Sequence, residues 1–79
     1  MSNSVVDDLS MRELQVAMAI SDGQTVAEMA DALAIHFETA RFHIRKLRDK
    51  TGLRRKPQLA VWAVEHRLRL ASRLRKLTK

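Results

Sequence analysis

Cysteine is absent from the chain. That excludes disulfide staples and thiolate metal sites, and it fits a reducing, cytoplasmic location. Long apolar runs are missing too: nothing approaches the roughly 20 residues of a membrane span. The N-terminus carries two acids, Asp7 and Asp8, and no apolar segment of a signal peptide. Glycine is limited to Gly23 and Gly52, so there is no glycine-rich phosphate loop. No nucleophile stands beside a base, and 79 residues leave little room for a substrate cleft. An enzyme is therefore not expected. Three histidines are present, His36, His43 and His66, but with no regular ligand spacing and no acidic pair on a shared face. No metal and no other cofactor is expected.

A chain this short makes one domain at most, and buries only about 60% of its unfolded surface. With no staple to help, oligomerisation is the common remedy. The charge that is present is polarised. Net charge is +6, made of −3 over residues 1–24, +1 over 25–50 and +8 over 51–79. Such a field attracts a polyanion, nucleic acid first and an anionic membrane second.

Capping signals divide the chain into helices. Residues 1–8 have no clear periodicity and read as a flexible leader. Ser10 followed by Glu13 is a capping box with Leu9 as its staple; Met11, Leu14, Ala17 and Met18 then share a face, widened by Val16 and Ile20. Asp22-Gly23 ends that helix. Thr25 and Glu28 form a second box, opening a helix faced by Val26, Met29, Ala30 and Leu33. Ala34-Ile35-His36 is a short corner with Ile35 as an apolar plug. A third helix, roughly Phe37 to Lys50, turns Ala40, Ile44 and Leu47 inward and carries Glu38, Arg41, Phe42, Arg45, Arg48 and Asp49 outward, with His43 on the flank. Gly52 suits a left-handed cap. A short scaffold that presents one basic helix is how small proteins read a DNA major groove.

Pro57 belongs in the first turn of a fourth helix. Its pattern does not stop with the domain: two apolar stripes continue to about Lys76, giving a helix about 30 Å long. A three-helix core cannot cover that length. Its far half either packs on a partner subunit, which we favour, or frays as a basic tail.

These residues resemble a known family. Leu9-Ser10-Met11-Arg12-Glu13 with Val16, then Gly23 to Ala30 with Leu33 and Ile35, then Thr39-Ala40-Arg41-Phe42-His43-Ile44, and finally Lys50-Thr51-Gly52-Leu53, follow in order and spacing the motifs of the LuxR-type helix-turn-helix DNA-binding domain. The resemblance covers about Leu9 to Ala63. It implies an all-α fold of four helices, here with an extended C-terminal helix: a leader at 1–8, the DNA-binding domain at 9–64 and a basic extension, for dimerisation, at 65–79. Departures are His36 where a serine N-cap is usual, Ala40 for valine, Lys56 for arginine, and the long extension. No receiver or ligand-binding domain stands in front, so phosphorylation of a fused receiver is not expected to be the switch.

The resemblance also implies roles. Arg41, Phe42 and Arg45 fall where the family faces base edges. An arginine there can pair bidentately with guanine, and a phenylalanine can meet a thymine methyl, although Phe42 also suits a core. Glu38 either accepts from cytosine N4 or orients an arginine. Phosphate contacts are expected from Thr25 at a helix start, from His43, Lys46, Arg48 and Lys50, and from Arg54 and Arg55 at the corner. Leu59, Trp62, Ala63, His66, Leu70 and Leu74 form the expected dimer interface, with Leu68 and Leu77 as extensions and Trp62 alternatively a core plug. The expected partners are double-stranded DNA and a second copy of the chain, with RNA polymerase or another regulator as further candidates and no membrane. The function so implied is a homodimeric, sequence-specific transcription regulator. A rival is an adaptor or anti-regulator that binds a regulator or polymerase through the long fourth helix. A third reading, a membrane-surface helix at 65–79, is weakened by His66 and the mixed basic faces.

Overall fold

A computed structural model describes residues 3–78. It contains six helices and no strand among the described residues: α1 Asn3–Asp7, α2 Met11–Ser21, α3 Val26–Leu33, α4 Phe37–Thr51, α5 Lys56–Glu65 and α6 Arg67–Leu77. Both capping boxes close. The Glu13 N–H donates to Ser10 Oγ (3.1 Å) and the Ser10 N–H to Glu13 Oε1 (2.9 Å). At α3 the Glu28 N–H donates to Thr25 Oγ1 (3.1 Å) and the Thr25 N–H to Glu28 Oε1 (2.8 Å). A cap of this kind is worth about 1 kcal/mol over alanine. His36, by contrast, caps α4 with no side-chain hydrogen bond. Three residues turn the chain in the left-handed region: Gly23 (φ 78°) after α2, Ala34 (φ 56°) between α3 and α4, and Gly52 (φ 74°) after α4.

Helix α2 is the centre. Its Leu14, Val16 and Ala17 are fully buried, and α4, α5 and α6 all pack on it, while α3 leans on α4. Ala40 and Leu47 of α4 reach the same core. Met11, expected on the inner face of α2, is exposed.

Two expectations need correction. The leader is not all flexible: residues 3–7 form α1 and Val6 is buried against the core; Met1 and Ser2 lie outside the described residues. A two-valine segment is too short to show periodicity, and it has a surface to bury on only because α6 returns to it.

Nor is the fourth helix continuous. It breaks at His66 (φ −104°, ψ 12°), and α6 folds back onto α2 and α1. His66 Nδ1 lies 2.8 Å from the Trp62 carbonyl oxygen and its ring stacks on Trp62, centroids 4.7 Å apart. Arg67 ties the start of α6 to Asp22 and Ser21. Leu59, Ala63 and Leu70 are consequently buried inside the protomer, Leu74 packs against the same core, and Trp62 and His66 are half-buried on each other. The expected dimer seam is thus largely the protomer's own core. Turning the chain covers the stripe of Leu59, Ala63, Leu70 and Leu74 without a partner, taking Leu70 and Leu74 away from any membrane surface, but leaves Val61, Val64 and Leu68 exposed. Among the described residues no helix is long and apolar enough to cross a membrane.

Candidate nucleic-acid interface

The α3–turn–α4 unit presents α4 outward. The corner is tight: the Ile35 N–H donates to the Ala30 carbonyl (3.0 Å) and the Ala34 N–H to that of Asp31 (3.2 Å). With Ala40 and Leu47 anchored in the core, periodicity forces Glu38, Arg41, Phe42 and Arg45 to the opposite side, and all four are exposed. Phe42 is 47% exposed, which removes the core alternative. Its ring meets His43 edge-on at 5.5 Å, and Lys46 Nζ lies 5.9 Å from its centroid. Glu38 Oε1 stands 3.9 Å from Arg41 Nε, one helical turn away. This contact is weak and solvated, but it biases the arginine's direction.

Two shallow hollows flank this face. One, of about 210 Å³, is lined by Val26, Phe37, Arg41, Ile44, Arg45 and Arg48. The other, of about 260 Å³, is lined by Arg45, Arg48, Asp49, Gly52 and Arg54. Arg45 and Arg48 border both, so a basic furrow runs from the start of α3, along α4, to the corner after it. Arg48 is half-buried there, with its Nε buried and unpartnered. As a residue that lines both hollows, Arg48 offers a guanidinium whose planar fork suits an oxyanion approaching from outside.

Several expected phosphate contacts are placed differently. Lys50 is committed within the protein: its Nζ donates to Glu13 Oε1 (2.8 Å) and to the Asp8 carbonyl oxygen (2.8 Å). That ties the end of α4 to the start of α2 and removes Lys50 from the furrow. Glu13 is 5% exposed. Burial pushes its carboxyl up, but the bonds from Lys50 and Ser10 outweigh this and hold it below its ordinary value. Thr25 is exposed, yet its hydroxyl and N–H are both used in the capping box, and Glu28 puts a negative charge at that helix start. Arg55 is exposed as the N-cap of α5, outside both hollows. His43 is half-buried beside Phe42.

Sequence reasoning missed the apolar floor of the furrow. Phe37 is as exposed as Phe42, and it joins Val26 and Ile44 only because α3 docks against α4. Its place as the first residue of a helix that lacks a polar cap was the one available signal.

No curated protein and no solved structure matches the chain. A model of the family described as bacterial regulatory proteins, luxR family, matches residues 7–63, most of the chain and the whole of the helix-turn-helix. That segment agrees with the geometry of α2 to α5, and the chain belongs to the luxR family of bacterial regulatory proteins, whose domain is a DNA-binding helix-turn-helix of transcription regulators.

Proposed function

We propose that the protein is a sequence-specific double-stranded DNA-binding regulator that acts as a homodimer, with α4 in the major groove. The observation that carries this reading is the exposed face Glu38, Arg41, Phe42 and Arg45 on a helix held by its buried side to α2 and α3. Arg41 and Arg45 read base edges, Phe42 packs on a thymine methyl, and Glu38 orients Arg41 or accepts from cytosine. Arg48 and Arg54 in the furrow, with His43, Lys46 and Arg55 beside it, hold phosphates and position the helix without reading sequence.

The dimer seam proposed here keeps Leu68 of the expected interface and otherwise differs from it. Val61 and Val64 on α5 and Leu68 at the start of α6 are 57%, 56% and 87% exposed. Ala60, Val61, Val64 and Glu65 line an apolar hollow of about 250 Å³. Side chains of this kind in solvent call for a partner, and a second copy related by two-fold symmetry supplies a matching surface. It also sets two α4 helices one turn of DNA apart. The adaptor reading depended on a long apolar fourth helix, and the break at His66 removes its main support.

Selection of bound duplexes from a random library at physiological salt tests the reading. The expected result is a two-fold-symmetric site, bound roughly 10³-fold more tightly than a scrambled duplex, and lost by Arg41→Ala/Arg45→Ala. Each lost bidentate contact costs about 1–3 kcal/mol of discrimination. Salt-sensitive binding with no preferred sequence, unchanged in the variant, would refute it.

A further inference from the structure

Helix α6 lies beyond the segment matched by the family, and one of its sides carries a cluster of cations. Arg69, Ser72, Arg73 and Lys76 recur at helical spacing and share that side. Together with Val6 and Asp7 at the end of α1 they line a hollow of about 120 Å³. This is the room of about four waters at ~30 Å³ each, a size that suits a compact anion. Three cations face one carboxylate. Asp7 is 3.9 Å from Arg69 with both side chains about half exposed, a weak and solvated pair. Among the described residues no carboxylate lies within 4.0 Å of Arg73 or Lys76. The Arg73 Nε is buried and has no hydrogen-bond partner. Arg73 as a whole is half-buried and lines the hollow, and the planar fork of a guanidinium matches an oxyanion. The main packing of the two helices differs, α4 on α2 and α3 and α6 on α2, α1 and α5, although the C-terminal end of α4 comes near through Lys50, which donates to the Asp8 carbonyl oxygen.

We propose that the α1–α6 hollow is a binding site for a phosphate-type oxyanion, held by Arg73 and flanked by Arg69, Lys76 and the Ser72 hydroxyl. Asp7 weakens the site by its charge and sets its threshold. Its position points to a free phosphorylated small molecule rather than to the duplex on α4. The inference is independent of what α4 reads.

Titration of the full chain with inorganic pyrophosphate at low salt, followed by amide NMR, tests it. The expected result is shift changes centred on residues 5–8 and 69–76. Arg73→Gln weakens binding about tenfold, the worth of one charge-assisted hydrogen bond; Lys76→Gln, at an exposed position that leaves the fold intact, weakens it less, and Asp7→Asn tightens it. Changes confined to α4, or equal affinity in wild type, Arg73→Gln and Lys76→Gln, would overturn the proposal. A second arm separates the sources of phosphate. If the anion is free, both glutamine variants bind a duplex as wild type does. If it belongs to the DNA backbone, both shallow the salt dependence of duplex binding, by about one counterion per charge removed.

Discussion

At the scale of single residues, Glu13 joins two pieces of structure. Its carboxylate closes the capping box of α2 and receives Lys50 from the end of α4. The sequence shows the first role, because a serine and a glutamate three residues apart are a local signal. The second spans 37 positions and has no local signature, so Lys50 reads as one more cation on a basic helix. Lys50→Met is expected to cost about 1–2 kcal/mol in urea unfolding at pH 7, since it leaves a buried carboxylate short of its counter-charge while Lys50 itself is one-third exposed. The pH dependence has a definite sign. Because the folded Glu13 value is lowered, its contribution is complete above the ordinary value of 4.5 and disappears as pH falls through the folded value. The difference between wild type and Lys50→Met is therefore expected to shrink in acid. A difference that stays constant from pH 7 to pH 3 would mean that Lys50 contributes through packing alone.

At the scale of elements, α2, α3 and α4 were legible almost to the residue. Their ends are written in side chains that act within one turn: Ser10, Thr25, Gly52. The corner was legible too, although its left-handed residue is Ala34 rather than glycine or asparagine. Division of the last helix was not. No glycine or proline occurs between Gln58 and Leu77, and an amphipathic pattern reads the same whether a helix is straight or folded back on the same core. Leu70 separates the two arrangements. It is fully buried within the protomer, so Leu70→Ala is expected to cost about 3 kcal/mol of protomer stability, measured by thermal or urea unfolding at low protein concentration. In a straight helix the same change would dissociate a dimer and leave each protomer as stable as before. The DNA-facing side of α4 was legible because its periodicity is strict; the floor beneath it, Phe37 with Val26 and Ile44, was not, because two elements build it.

For the whole molecule, the polarised charge acquires a structural use. The acidic first third and the basic last third meet: Arg67 pairs with Asp22 and Arg69 approaches Asp7. The cations left facing outward along α4 and the following corner form the furrow, so net charge overstates what the C-terminal third offers to DNA. The seam for a second copy belongs to this scale as well. Val64→Glu/Leu68→Glu is expected to give a natively folded monomer by sedimentation equilibrium, because both side chains are exposed in the protomer. Its affinity for a symmetric duplex should fall by about 10²-fold while half-site binding holds, since avidity and not contact is lost. A variant that remains dimeric would place the seam elsewhere.

By itself the sequence determined the helical class, the family, three helix starts and stops, and which side of α4 is polar. All of these rest on interactions within one or two turns or on periodicity along one element. Tertiary structure alone decided that residues 3–7 are helical, that Leu59, Ala63 and Leu70 serve the protomer's core, that Lys50 faces Glu13, and that α6 forms a basic hollow against α1. The reason is one of distance. A residue's pattern states which side of its helix is apolar, but what that side meets depends on a surface contributed by residues tens of positions away. Here that surface is α2, on which α4, α5 and α6 all pack.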